Sequence, residues 1–372
     1  MSASVYTLGV ITCHLSKKTP PFQEAGYIKE LTAAGVPFGI QLITFSPMDV
    51  DWKTRKVSAW RYDPKGKRWH KESHPIPHLI YDRCYYLTSE QYAAYKPYIS
   101  RISKDSQTHL LGRPLGGKLH THHMIQENPA LRPYLPPTIK LQSSADILTA
   151  LQKHAAILIK PNGGSHGRGV AAIIPEGDSF RVWGRSKANR RFHLLLHSRK
   201  TLCRWAEQFT QHSRYIIQPY LSLTTMDGRP FDIRILVQKD RSGCWVTTGM
   251  AVRTGHFSSL TSNLHGGGHA ERAIPFLKKY YPPGKVSKIL KSIRFLSLNI
   301  PKQIESQHGR LLELGLDIGV DRNGHVWLLE ANSKPGRSIF LKTGEQDVRV
   351  QSVRLPIEYA HSLFQSLTGG SV

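Results

Sequence analysis

Apolar positions run almost unbroken through VYTLGVIT (5–12), take a helical spacing in FQEAGYIKELTAAG (22–35), and become continuous again in PFGIQLITF (37–45) and HLIYDRCYY (78–86). Short apolar runs bounded by turn residues predict buried strands, and the interposed spacing near 3.6 predicts a helix. The opening therefore reads as an open α/β unit. A polar, Trp-bearing excursion at 51–71 predicts a hairpin around Asp63-Pro64-Lys65-Gly66, and a Tyr-rich helix is expected over 89–102.

From residue 110 the pattern changes. GRPLGGKLHTHHMIQ (112–126) reads as a loop feeding a helix that carries Lys118, stopped by LRPYLPPT (131–138). A short strand TIKL, a helix 143–154 capped by Ser143 or Ser144, and a strand 156–161 follow. VAAIIPEG and SFRVWGRS predict two further strands, then come a helix over 200–212 and the strand RYIIQPYLSL (214–223). The remainder alternates FDIRILVQKD and CWVTTGMAVRTG with a glycine-rich loop (263–270), helices within 271–307, a pair of strands, and a final helix 346–367 kinked or interrupted at Pro356. At 372 residues the chain exceeds one typical core. Three units are expected: an N-terminal α/β unit 1–109, a central α+β lobe 110–215 and a C-terminal lobe 216–372.

Composition changes this picture in one respect. Apolar residues at 40% and charged residues at 21% describe an ordinary globular protein, but 51 Lys and Arg against 26 Asp and Glu give a net charge of +25. Such a field favours acidic partners without choosing among nucleotides, carboxylates, anionic polymers and nucleic acid. The basic residues are dispersed, and no helix-turn-helix, zinc-finger or RNP-like pattern is present, so nucleic acid is set aside. Cys13, Cys84, Cys203 and Cys244 are far apart, which argues against a disulfide framework or a thiolate metal site. No basic-then-apolar leader and no membrane-length apolar run is seen, so a cytosolic location is expected.

Two segments carry chemistry. In LIKPNGGSHGRGV (158–170), a strand presents Lys160 and leads into a loop with Gly163, Gly164, Gly167 and Gly169. Glycines let such a loop turn backbone N–H groups onto phosphate oxygens. In LELGLDIGVDRNGHVWLLEANSKPG (312–336), two strands flank the turn Asp321-Arg322-Asn323-Gly324. Alternation puts Glu330 and Asn332 on one face, with Asp317 available from the neighbouring strand and the register left open. Three oxygen ligands suit Mg2+. The competing explanation is a solvated, turn-flanking carboxylate set. His120, His122 and His123 do not share one helix face, so a transition-metal site is set aside.

The ordered series of a lysine before a helix, a lysine before a glycine loop, a hinge strand, D-x-R and D…E-x-N resembles the ATP-grasp superfamily. The whole chain is similar to its endospore coat-associated YheC/YheD-type branch, on PFQEAGYIKELTAAG, PHLIYDRCYY, YLPPTIKL and LDIGVDRNGHVWLLEANSKPGR. The resemblance implies an ATP-grasp fold with an N-terminal α/β (pre-ATP-grasp) domain, and ATP held with Mg2+ between two α+β lobes. Lys118 and Lys160 match the lysines that reach the phosphates. The loop would be a flap, with Gly163, Gly164, Ser165, Gly167 and Gly169 as cofactor contacts and His166 and Arg168 as further donors. Gln218 matches a hinge position where many relatives place glutamate, and Leu221 the adenine-contacting backbone position. An amide keeps one acceptor but adds donors, so the purine preference stays open. Asp232, of the D-x-R pattern, and Asn263, in the loop 254–270, match further cofactor positions. Arg234 and Arg253 match arginines that stabilise the transferring group, and Asp317, Glu330 and Asn332 match metal ligands. Ser333, Lys334 and Arg337 either bind a substrate carboxylate or end the strand.

What the resemblance implies for function is a ligase that activates a carboxylate as an acylphosphate for attack by an amine, with spore-envelope or cell-wall material as acceptor. The alternatives are an ATP-grasp kinase and a spore-coat nucleotide-binding scaffold without turnover.

Overall fold

Strands β1 (Tyr6–Ile11), β2 (Ile40–Phe45), β3 (Val50–Asp51), β4 (Lys56–Asp63), β5 (Arg68–Pro75), β6 (Leu79–Asp82) and β7 (His109–Leu111) build the first of three sheets. This is a computed structural model, and it describes residues 6–15, 19–164, 167–257, 260 and 268–369. The strand order is β3-β4-β2-β1-β6-β7, with β5 added on β4. Pairs β1–β2, β1–β6 and β6–β7 are parallel. Helices cover both faces of this parallel core, which is why its strands read as unbroken apolar runs. Helix α1 (Ala25–Gly35) sets Tyr27, Ile28 and Leu31 against Leu8 and Val10, while α2 (Ser89–Lys104) sets Tyr95, Ile99 and Ile102 against Ile11 and Ile43. The expected hairpin is present as β4–β5, its turn held by Asp63 accepting from the N–H groups of Lys65 and Gly66.

Helix α3 (Lys118–Gln126) leads to the second sheet, made of β8 (Ile139–Leu141), β9 (Ile157–Pro161), β10 (Val170–Glu176), β11 (Ser179–Arg185), β12 (Arg191–Leu196) and β13 (Tyr215–Pro219). Its order is β12-β11-β10-β9-β13-β8, and every pair is antiparallel. Helices α4 (Ser144–Lys153) and α5 (Arg199–Thr210) bury Ile147, Ala150, Leu202 and Ala206 on one face, over Ile157, Ile159, Tyr215 and Ile217. The period of two then sends Leu158, Lys160, Ile216 and Gln218 to the opposite face. Strand β12 was not expected. It is an edge strand whose three consecutive leucines, Leu194 to Leu196, break the alternation that would have marked it.

The third sheet contains β14 (Phe231–Lys239), β15 (Trp245–Thr254), β16 (His269–Arg272), β17 (Glu313–Val320) and β18 (Val326–Asn332), antiparallel in the order β16-β15-β14-β17-β18. Helices α6 (Ala273–Tyr280) and α7 (Pro283–His308) cover one face. Val286, Ile289, Ile293, Leu296, Ile300 and Ile304 form a single apolar stripe on α7, packed over Ile233, Ile235, Leu314 and Leu316. The other face is partly covered by α8 (Ser338–Lys342) and α9 (Gln346–Gly369). Helix α9 contains Pro356 and continues past it.

Two crossings tie the sheets together. Met124 and Ile125 of α3, with Leu131 and Leu135, belong to the core of the third sheet, and Val353, Ile357, Ala360 and Phe364 of α9 return to the core of the first. A partition into 1–109, 110–215 and 216–372 is therefore a proposal that has to accommodate both. A buried ionic cluster reinforces the second crossing. Glu313 of β17 accepts from Arg83, just after β6, at 2.8 Å, and from Arg337 and Tyr81, while Arg83 also grips Glu24. The Arg83 and Glu313 side chains are fully buried.

Candidate nucleotide and metal site

A cavity of about 690 Å³ lies between the face of the second sheet opposite α4 and α5 and the face of the third sheet opposite α6 and α7. That is within the usual range for small-molecule sites. Each wall follows from strand alternation: Leu158, Lys160, Ile216 and Gln218 line it from the second sheet, Asp232, Arg234, Arg253, Asp317 and Glu330 from the third.

On the third sheet, charge pairs are cross-strand neighbours. Asp232 stands opposite Arg253, Arg234 opposite Asp317, and Asp317 opposite Glu330. Arg234 binds Asp317 with two hydrogen bonds, Nε to Oδ1 at 2.5 Å and Nη2 to Oδ2 at 3.0 Å. Arg253 Nε reaches Asp232 Oδ1 at 2.6 Å, and its Nη2 lies 3.1 Å from Asp317 Oδ1. Burial would raise the Asp317 carboxyl, but Arg234 and Arg253 outweigh it and hold its pKa at about 2. Burial likewise opposes the charge on Arg253, and Asp317 with Asp232 reverses that, raising its pKa.

A register shift between Asp317 and Ile318 leaves Leu329 as an extra residue on β18. Its carbonyl, displaced from the ladder, accepts from Lys160 Nζ at 3.4 Å. Burial first, then the neighbouring Lys118, lowers the Lys160 pKa to about 8 despite the opposing pull of Glu330 and Asp317.

Lys118 enters from the first residue of α3. The start of that helix is fastened to the end of β9, because the Lys118 N–H donates to the Asn162 carbonyl and the Leu119 N–H to Asn162 Oδ1, both at 2.8 Å. Gly117 permits this approach, since a Cβ there would lie 2.4 Å from Asn162 Nδ2. Lys118 Nζ then reaches Glu330 Oε1 at 3.2 Å and the Gly164 carbonyl at 2.9 Å. Gly164 has φ +102°, a conformation open to glycine and rarely to other residues.

Gly163, Gly164, Gly167 and Arg168 line the cavity, as do Leu221 and Asn332. Gly169 does not; its N–H donates instead to the Ser186 carbonyl, because the loop has by then turned back toward β11. Ser165, His166 and Asn263 lie outside the described residues. Gln218 Nε2 donates to Thr138 Oγ1 at 2.7 Å. Lys334 and Arg337 are engaged with protein carboxylates: Lys334 Nζ with Asp82 Oδ1 at 2.7 Å, and Arg337 with Glu313. Both cations thereby tie the end of β18 to the first sheet and to β17, and Lys334 also lines the cavity. His122 faces the cavity, with burial lowering its pKa, and no cluster of three His, Cys, Asp or Glu residues able to hold a metal occurs among the described residues.

Asn162, Thr138, Asp82 and Glu313 were not singled out from the sequence. They act on the site through other residues, at sequence separations from which no local pattern arises. Asn162, next to the glycine loop, is the one a close reading of PNGG could have found.

The model of the family described as YheC/D like ATP-grasp matches residues 107–363. The Bacillus subtilis (strain 168) endospore coat-associated protein YheC is 31% identical over 344 residues, covering 92% of this chain and 93% of that protein. Among solved structures, D-cycloserine synthetase DcsG superposes with a TM-score of 0.54 at 14% identity, over 93% of this chain and 98% of that one. The ATP-grasp ligase PsnB, complexed with a phosphomimetic variant of its minimal precursor, Mg and ADP, gives 0.51 at 12% identity, over 94% and 99%. At these identities the two structures establish the fold. None of the described helices is long and apolar enough to cross a membrane.

Proposed function

The chain belongs to the YheC/D-like ATP-grasp family, and from that premise we propose that it is an ATP- and Mg2+-dependent ligase joining a carboxylate to an amine. The observation that carries this reading is the convergence on one cavity of two lysines from separate elements, two carboxylates and an amide from adjacent strands, and two arginines. In this reading Lys118 and Lys160 contact the nucleotide phosphates, together with backbone N–H groups of Gly163, Gly164 and Gly167. Asp317, Glu330 and Asn332 hold the metal, and Arg234 and Arg253 lie beside the transferring group.

The donor set fits a hard divalent cation. Two carboxylates stand opposite one another in register, and a carboxamide follows two residues on, all offering oxygen. Bound there, Mg2+ would neutralise phosphate charge and orient the terminal phosphoryl group. Everything else is positioning by the chain's own cations. The substrate carboxylate attacks the terminal phosphorus and ADP departs; the amine then attacks the acylphosphate carbonyl, phosphate departs, and the nitrogen gives up its proton to the departing phosphate or to water. No side-chain nucleophile is required. Beyond the metal residues the cavity continues past Tyr85, Tyr86, Ser333 and Ser338, which leaves room for a second substrate.

The likeness to an endospore coat-associated protein supports an envelope or wall precursor as the acceptor and a cytoplasmic site of action near the forming coat. Incubation with Mg-ATP and envelope precursors, followed by mass spectrometry, tests the proposal. A ligase yields ADP, phosphate and an amide; a phosphorylated product would make it a kinase, and no turnover a scaffold.

A further inference from the structure

We propose that Thr138 fixes the orientation of the Gln218 side-chain amide, so that the cavity offers the nucleotide base an acceptor and selects adenine over guanine. The proposal rests on the nucleotide-site reading above and deepens it.

The position of the base follows from the pleat. On β9 and β13, Lys160 pairs with Ile216, and the next row inward is Leu158 with Gln218. The two rows are about 7 Å apart along the strands. Phosphates belong at the cationic row, and the neutral row, with Leu115, Leu135 and Leu328 also lining the cavity, suits a base. Gln218 is the polar side chain of that row, and its amide faces the cavity beside Thr138.

A glutamine in that place can present either end, its oxygen or its NH2. The hydrogen-bond chain does. The Thr138 hydroxyl has one proton, and it is donated to the Pro136 carbonyl at 2.8 Å, a group that can only accept. Toward Gln218 the hydroxyl therefore acts as an acceptor, so the group 2.7 Å away from it must be the NH2. That turns Oε1 the other way. Among the described residues Oε1 meets no donor, and it is not one of the polar atoms sealed off from the cavity. It is a directed, unused acceptor on the base side of the site.

Adenine carries a 6-amino donor where guanine carries a 6-oxo acceptor. The first matches Oε1. The second would face it lone pair to lone pair, and flipping the amide to accommodate guanine would set Oε1 against the Thr138 oxygen and break the relay to Pro136. Thr138 is thus a positioning residue: it touches no part of the nucleotide in this account and acts through Gln218. The amide, which by itself leaves the purine open, behaves here like the acceptor-only carboxylate that many relatives place there.

The experiment is a titration of the full-length protein with Mg-ATP and Mg-GTP, read as the ratio of dissociation constants. Wild type is expected to favour ATP by about tenfold or more, the equivalent of one directed hydrogen bond gained and one repulsion avoided. Thr138→Val keeps the shape and removes the acceptor, and the ratio should fall to within about threefold of unity, whereas Thr138→Ser should keep it. Because a carboxylate accepts in any orientation, the double variant Gln218→Glu/Thr138→Val should recover the ATP preference, which a merely destabilised protein would not do. A wild-type ratio retained in Thr138→Val, or a wild type that binds both nucleotides equally, overturns the proposal while leaving the nucleotide site standing. A wild type that binds neither contradicts the nucleotide reading itself and takes this one with it.

Discussion

Lys118 Nζ stands 3.2 Å from Glu330 Oε1 and 2.9 Å from the carbonyl of Gly164, so one ammonium links the start of α3, the glycine loop and the Glu330 carboxylate. Under the proposed function the same cation has to face phosphate once nucleotide is bound. Under the proposed function, Mg2+ and Lys118 would therefore compete for Glu330, and the nucleotide would resolve the competition by taking the lysine.

Glu330→Gln separates the two roles. The amide no longer holds Lys118 electrostatically and is a weaker ligand for a hard cation. Binding of a fluorescent ATP analogue, measured with MgCl2 and with EDTA, should show the Mg2+ enhancement cut by on the order of tenfold, the Mg2+-free affinity being equal to or better than wild type. An unchanged Mg2+ enhancement would remove Glu330 from the metal site.

Lys160 gives the site its pH dependence. The unfolded chain's lysine titrates near its ordinary 10.5, and burial brings the folded one to about 8. Between those values the folded state binds fewer protons than the unfolded, so stability rises with pH across the window, and below about 8 the burden of a buried ammonium is present in full. Lys160→Met should accordingly raise the unfolding free energy at pH 7 by about 2 kcal/mol in urea titrations while abolishing nucleotide binding. In wild type, phosphate needs the protonated lysine, so ATP affinity should be level below about pH 7 and fall above about pH 8, with proton uptake visible as buffer-dependent binding heat. Lys160→Arg should remove that uptake.

Asp317 titrates the other way. Its folded pKa of about 2 lies below the ordinary 3.8, so the stability it contributes with Arg234 and Arg253 is complete above about pH 4 and is lost as the pH falls toward 2. Removing one partner of a buried pair leaves a charge uncompensated. Arg234→Met should destabilise by on the order of 3 kcal/mol at pH 7, and Arg234→Met/Asp317→Asn by clearly less. Additive losses in this double-mutant cycle would mean that the two residues are not coupled.

How much of this was legible beforehand depended on range. The open α/β unit, the β4–β5 hairpin, the turn at Asp321 and the helices within 271–307 announced themselves, because period and turn chemistry are local. Lys160 and Glu330 could be singled out because each sits in a short pattern of residues that act together. The register that puts Asp317 opposite Glu330 could not be read, since it depends on a one-residue bulge at Leu329. Nor could the Arg83–Glu313–Arg337 cluster, whose members are separated by 230 and 24 residues and meet between the first sheet and β17. Thr138 belongs to the same class: it orients a recognisable residue and carries no signature of its own, whereas Asn162 stands beside the glycine loop in PNGG.

The central claim is that one Mg-nucleotide site lies between the second and third sheets. Calorimetric titration of Mg-ATP into wild type, Lys160→Ala and Glu330→Ala, with circular dichroism melts of each, tests it most directly. The account predicts a single site in wild type and no measurable binding in either variant, both variants remaining folded. Equal affinity in all three proteins would contradict it.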